Sequence, residues 1–212
     1  MILEFRLQGI MGESNKSLIF KWKDSLAPAR ISKIIRDGGT GVLPTDTIYG
    51  LVASALDKKA VGKVYKMRER NPKKPFIILI SSVRDLEIFG IRVDKKLRSL
   101  LFKFWPGKVS VILPCPLKRY HYLHRGTNSL AFRLPANEDL IEILKKTGPL
   151  IAPSANLEGL PPAKTIERAR KYFGDQAEFY ADSGKLDSPP STLIRISANG
   201  EVAVLRRGAM KI

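Results

Sequence analysis

The chain has 212 residues, 44% hydrophobic and 27% charged, which is enough to bury a sizeable core in one domain. A single cysteine, Cys115, excludes an internal disulfide framework. No stretch has the apolar run that a signal peptide or membrane helix needs, so a cytoplasmic protein with no membrane association is expected. Lys and Arg number 37 against 20 Asp and Glu, a formal net charge of +17. Ion-pair networks need both signs in comparable numbers, so the excess points to a polyanionic partner such as RNA or a nucleotide.

Residues 1–28 carry scattered Leu, Phe and Trp without a period and form an irregular or strand-like lead-in of unassigned role, leaving 29–212 as the main domain. The Ile31, Ile34, Ile35 spacing predicts a helix over 29–37, stopped by Gly38-Gly39. A buried strand over 40–43 follows, ended by Pro44, which has no N–H for the ladder. Val61, Val64 and Tyr65 mark the inner face of a second helix over 59–70, ended by Asn71-Pro72. A strand over 76–80 comes next. Asp94 then caps a third helix in which Leu97, Leu100, Leu101 and Phe104 share a face, and a strand over 109–113 follows its Trp105-Pro106-Gly107 break. Further strands are predicted over 130–134, 150–152, 178–181, 192–196 and 202–205, with helices over 138–147 and 165–173. The result is an α/β fold, a twisted sheet of mixed parallel and antiparallel strands with flanking helices.

The stretch Leu43-Pro44-Thr45-Asp46-Thr47-Ile48-Tyr49-Gly50-Leu51 sets hydroxyls, a carboxylate and a phenol behind a short apolar strand, where open α/β sheets bind ligands. Leu150 to Asn156 repeats that logic: an apolar strand, Pro153, then Ser154 and Asn156. Lys66 and Arg68 fall near the end of the second helix, and Arg70, Lys73 and Lys74 continue the run into a loop, a clamp for phosphate oxygens. Arg133 sits in an apolar strand after Ser129 and needs a carboxylate or phosphate partner, internal or bound. Ser191-Thr192 precede one strand and Arg206-Arg207-Gly208 end another. Phosphate-loop and dinucleotide-binding fingerprints are absent. His121 and His124 lack companions for a metal set and belong to a basic, aromatic loop over 118–125 suited to nucleic acid. Cys115 is a packing residue.

In this order, LPTDTIYGL, YKMR, KPFIILI, FWPGKVSVILP, SLAFRLP, APSANLEGLPPAKT, STLIRI and LRRGAM resemble the YrdC family, the L-threonylcarbamoyladenylate synthases, from Ala29 to Ile212. The resemblance implies a twisted sheet enclosing a large basic cavity, and an enzyme that joins L-threonine, bicarbonate and ATP into threonylcarbamoyl-adenylate and pyrophosphate. A partner transferase then modifies the adenosine beside the anticodon of tRNA. The chain is expected to be the short, single-module form. By resemblance, Lys66 and Arg68 bind phosphate as the catalytic cations, and Ser129, Ser154, Asn156 and Arg206 complete the ATP site. Thr45, Tyr49, Arg133, Ser191 and the Ala152 backbone hold threonine. Magnesium arrives with ATP, with no protein-ligated metal. The loop from Arg68 to Pro75 departs from the family's Lys-x-Arg-Pro pattern. The alternatives are a non-catalytic RNA-binding module, which binds tRNA or double-stranded RNA through phosphates, and a relative of the hydrogenase-maturation carbamoyltransferases.

Overall fold

The computed structural model describes residues 17–197 and 200–212; residues 1–16 of the expected lead-in lie outside them. In chain order the elements are β1 (Leu18–Lys21), α1 (Ala27–Arg36), β2 (Gly41–Pro44), β3 (Tyr49–Ser54), α2 (Lys58–Met67), β4 (Ile77–Leu79), α3 (Lys95–Leu101) and β5 (Val109–Pro114). Then come α4 (His121–His124), β6 (Ser129–Arg133), α5 (Glu138–Thr147), β7 (Leu150–Ile151), α6 (Ile166–Phe173), β8 (Phe179–Asp182), β9 (Thr192–Ile196) and β10 (Val202–Arg206). Capping starts the helices where the sequence places it. Asp57, Asp94, Asn137 and Thr165 each accept a backbone N–H at the start of α2, α3, α5 and α6, at about 1 kcal/mol apiece. No helix of the described residues is long and apolar enough to cross a membrane.

The strands form one ten-stranded sheet in the order β1-β8-β2-β3-β7-β4-β6-β5-β9-β10, parallel at β1/β8, β2/β8, β4/β6 and β5/β9 and antiparallel elsewhere. The sheet of mixed direction is therefore as expected. Strand alternation divides the core in two. Val42, Leu51, Ile78, Ile151 and Tyr180 pack on one face with α2, α4 and α6. Leu43, Val52, Leu79, Leu150 and Phe179 pack on the other with α1 and α5.

Three expectations change. The 45–51 segment is not a post-strand loop: β2 and β3 form a hairpin with Pro44 opposite Tyr49, closed by Thr45 N–H to Ile48 O at 3.1 Å. Pro44 is tolerated because it is the last residue of its strand. Helix α2 stops at Met67 rather than Arg70, because Glu69 turns left-handed (φ 50°) and Arg70 N–H reaches back to Tyr65 O at 3.0 Å, a Schellman-type closure. The 118–125 loop is two short helical turns instead, with Tyr120, Leu123 and His124 buried. Tyr120 and Tyr122 donate to Ile88 O and Ala55 O, which ties both side chains to the fold. Residues 17–28 include β1, which pairs with β8 along one edge of the sheet.

Candidate active site

Beyond α1 and α5, the same face of the sheet continues over Ile77 of β4 and over β6, β5 and β9. A cavity of about 350 Å³ lies there. Pairing register dictates its floor: Ile77, Ala131, Ile112 and Arg195 form one row across the four strands. Arg133 and Leu193, two residues along their strands and hence on the same face, lie in the next. Around this mostly apolar floor stand Arg68, Arg70, Arg133, Arg195 and Arg206, with Thr45, Thr47, Thr127, Ser129, Ser154 and Ser191. Among the described residues that line it there is no carboxylate.

Arg68 enters from the C-terminal end of α2 and is 2% exposed. Its Nε donates to Asn156 O at 2.9 Å, and one terminal nitrogen reaches Asn156 Oδ1 at 3.2 Å and Ser154 Oγ at 3.3 Å. The other terminal nitrogen is buried without a hydrogen-bond partner. Burial, and then the Arg70 cation, push Arg68 down to about 10, which leaves it charged at neutral pH. A buried cation held by neutral oxygens gains most from a bound anion. Asn156 itself is anchored, its Nδ2 donating to Leu157 O and Leu160 O, so it serves to aim Arg68. Burial also lowers Arg70, whose guanidinium lies 5.1 Å over the Phe76 ring.

A second buried arginine of the lining is held differently. Arg133 has an internal partner, Asp46 Oδ1 at 3.2 Å, with side chains 5% and 7% exposed, and it donates to Thr47 Oγ1 at 3.1 Å. Burial pushes Arg133 down and Asp46 pulls it back. The Thr45–Ile48 turn is rigid because Thr45 Oγ1 donates to Ile48 O at 2.7 Å and accepts the Thr47 and Ile48 N–H groups. Arg206 donates to Ser191 O at 2.8 Å, and burial alone lowers it. It ends the exposed strand β10, opposite Leu193 of β9, and the tail beyond it is held at the start of β9. Ala209 N–H bonds Pro190 O, and Thr192 Oγ1 donates to Met210 O at 2.6 Å. Gly208 permits this approach, since a Cβ would stand 2.2 Å from Pro190 O.

Of the expected residues, the structure brings Thr45, Arg68, Ser129, Arg133, Ala152, Ser154, Ser191 and Arg206 to one cavity. Asn156 sits behind Arg68. Lys66 is exposed on the last turn of α2, outside the lining. Tyr49 also stands outside it. Alternation along β3 sends Ile48 and Gly50 to the cavity face and Tyr49 to the opposite core, where its hydroxyl donates to Gly184 O at 2.7 Å and burial raises it. Sequence reasoning missed Arg195 and Thr127. The alternation of Thr192-Leu193-Ile194-Arg195 was the available signal for the first.

Fold and site together define a mixed α/β protein whose sheet carries an arginine-lined cavity. The chain belongs to the Sua5/YciO/YrdC family, whose model, described as telomere recombination, matches residues 33–208. The threonylcarbamoyl-AMP synthase of Pyrococcus abyssi is 31% identical over 168 residues, 79% of this chain and 48% of that protein. A putative threonylcarbamoyl-AMP synthase of Mycobacterium tuberculosis is 31% identical over 175 residues, 82% of this chain and 80% of that protein. The crystal structure of P. abyssi Sua5 complexed with L-threonine matches with a TM-score of 0.81 at 28% identity, covering 90% of this chain and 57% of that one. The chain thus spans about half the length of its Pyrococcus relative.

Proposed function

We propose that this protein is an L-threonylcarbamoyladenylate synthase, a nucleotidyltransferase that uses ATP, L-threonine and bicarbonate to supply tRNA modification through a partner transferase. The observation that carries this reading is the unequal partnering of two buried arginines at the cavity. Arg68 has no carboxylate in contact and one unpartnered nitrogen, which suits a polyphosphate. Arg133 is already paired with Asp46, which suits a small zwitterion among hydroxyls. The names of the relatives, and the L-threonine held by one of them, support the same assignment.

In this scheme Thr45, Arg133, Ser191 and Ala152 orient threonine. The Ala152 N–H is taken by Ile77 O, so its contribution is through the carbonyl. Threonine's amine bonds to the carbon of bicarbonate, whose C–OH bond breaks and leaves as water with an amine proton, giving a carbamate. The carbamate oxygen attacks the α-phosphorus, and the bond to pyrophosphate breaks. Arg68, with Ser129, Ser154 and Arg206, holds the nucleotide and screens the charge developing on the phosphates. Asn156 keeps Arg68 aimed, and Lys66 swings its flexible stem to the phosphates when they are bound. The described lining offers no carboxylate for a hard divalent cation, so magnesium is held mainly by the nucleotide's phosphates and water.

The test is pyrophosphate release from ATP with magnesium and bicarbonate, with L-threonine present, omitted or replaced by L-serine. Release should require threonine, and Arg68→Ala should abolish it while still melting cooperatively. Release indifferent to the amino acid would overturn the proposal.

A further inference from the structure

Both arginines of the phosphate wall belong to, or border, the segment 69–75, which leaves α2 through the left-handed Glu69 and returns to the sheet at β4. Its far end is fixed from below. Tyr65 Oη and Arg70 Nε donate to Lys74 O at 2.9 and 3.2 Å, and Tyr65 stacks on Phe76 with ring centroids 4.1 Å apart. The crest of the segment is held by one residue of the loop after β7. Glu158 donates its N–H to Arg68 O at 2.8 Å. Its Oε2 accepts the Asn71 N–H at 2.5 Å, and its Oε1 accepts Lys74 Nζ at 2.5 Å. The same 154–158 stretch supplies the Ser154 and Asn156 oxygens that aim Arg68.

We propose that Glu158 is a positioning residue: it clasps the chain from Arg68 to Lys74 at three points, Arg68 O, Asn71 N–H and Lys74 Nζ, and thereby sets Arg68 and Arg70 for an anionic ligand. It does not line the cavity and acts through the two arginines. A carboxylate is required because it accepts a backbone amide and a lysine at once, the two charge-assisted bonds sharing one rigid group. Without it the segment keeps its lower anchors and loses its crest, so the arginines are displaced while the fold remains. This is the local loosening that lowers affinity from outside the ligand shell. Its consequence for turnover rests on the synthase reading, whereas the clasp itself does not.

Two readouts separate the claims. Trypsin can cut after Arg70, whose next residue is Asn71. In Glu158→Ala that cleavage should accelerate about tenfold as local opening becomes easier, with the thermal midpoint within about 2 °C of the parent because an exposed pair contributes little to stability. In threonine-dependent turnover, KM for ATP should rise about tenfold in Glu158→Ala with a smaller change in kcat. Glu158→Gln, which keeps an acceptor for Asn71 and loses the pairing with Lys74, should fall between parent and Ala in both readouts. Unchanged cleavage in Glu158→Ala overturns the clasp. Accelerated cleavage with unchanged KM overturns the positioning role. A parent protein without turnover overturns the synthase reading instead and leaves the clasp to be judged by cleavage. If Glu158→Ala does not melt cooperatively, Glu158→Gln alone decides, by the same criteria.

Discussion

The buried Arg133–Asp46 pair is where electrostatics and stability can be tested together. With side chains 5% and 7% exposed, the pair is screened by protein rather than by water. Asp46→Ala would leave Arg133 with its bond to Thr47 Oγ1 and a buried, unpartnered Nε. Removing one member of such a pair costs about 3–5 kcal/mol because the other charge stays buried. For a chain of this size that lowers the melting midpoint by roughly 10 °C. Replacing both members, as Asp46→Ala with Arg133→Met, removes the stranded charge and should recover most of the loss. Differential scanning calorimetry of the two single variants, the double variant and the parent closes the cycle. A double variant that loses the sum of the single losses would refute the reasoning, since the residues would then be independent. L-threonine should raise the midpoint of the parent and not that of the double variant, because mass action stabilises a state that binds.

Three further outcomes follow from the geometry. Gly208→Ala places a methyl group against Pro190 O and should cost about 1–3 kcal/mol; if the tail positions Arg206, calorimetric titration should show weaker ATP binding as well. Arg68→Lys keeps a charge and loses the fork that meets Asn156 and Ser154, so it should behave nearly as Arg68→Ala in pyrophosphate release, and full activity would contradict the role of the fork. Lys74, then the Asn71 amide, hold the Glu158 carboxyl below its usual range. A carboxylate with a depressed folded pKa contributes above its unfolded value and loses that contribution as pH falls through the folded one. The protection factor of the Asn71 amide in hydrogen exchange should therefore stay level from neutral pH down through the ordinary glutamate range and fall only below it. A drop near pH 6 would contradict the assignment.

The fold was largely legible because its helices are strongly amphipathic and capped. Asn137 and the Leu140, Ile143, Leu144 face give α5 its bounds, and Thr192–Ile196 alternates cleanly. The hairpin at 44–49 was not legible. Pro44 and three polar residues look like the end of a strand, whereas the hydroxyl of Thr45 satisfies the turn and lets β3 follow at once. Facing is harder to read than position. Tyr49 stands in the same motif as Thr45, but one step along a strand reverses a side chain, and its phenol found the turn after β8. Asn156 and Arg68 were read as parallel ligand contacts, whereas one holds the other. Glu158 carried no signal, because a lone glutamate in a loop shows its purpose only when the distant segment it grips is folded against it.

The central claim is that one cavity joins a nucleotide to a carbamate made on threonine. Its most direct test is mass spectrometry of the product formed from ATP, L-threonine and carbon-13 bicarbonate. The account predicts threonylcarbamoyl-adenylate carrying the label in its carbamoyl carbon. AMP or ADP with no labelled adduct under conditions where ATP is consumed would contradict it.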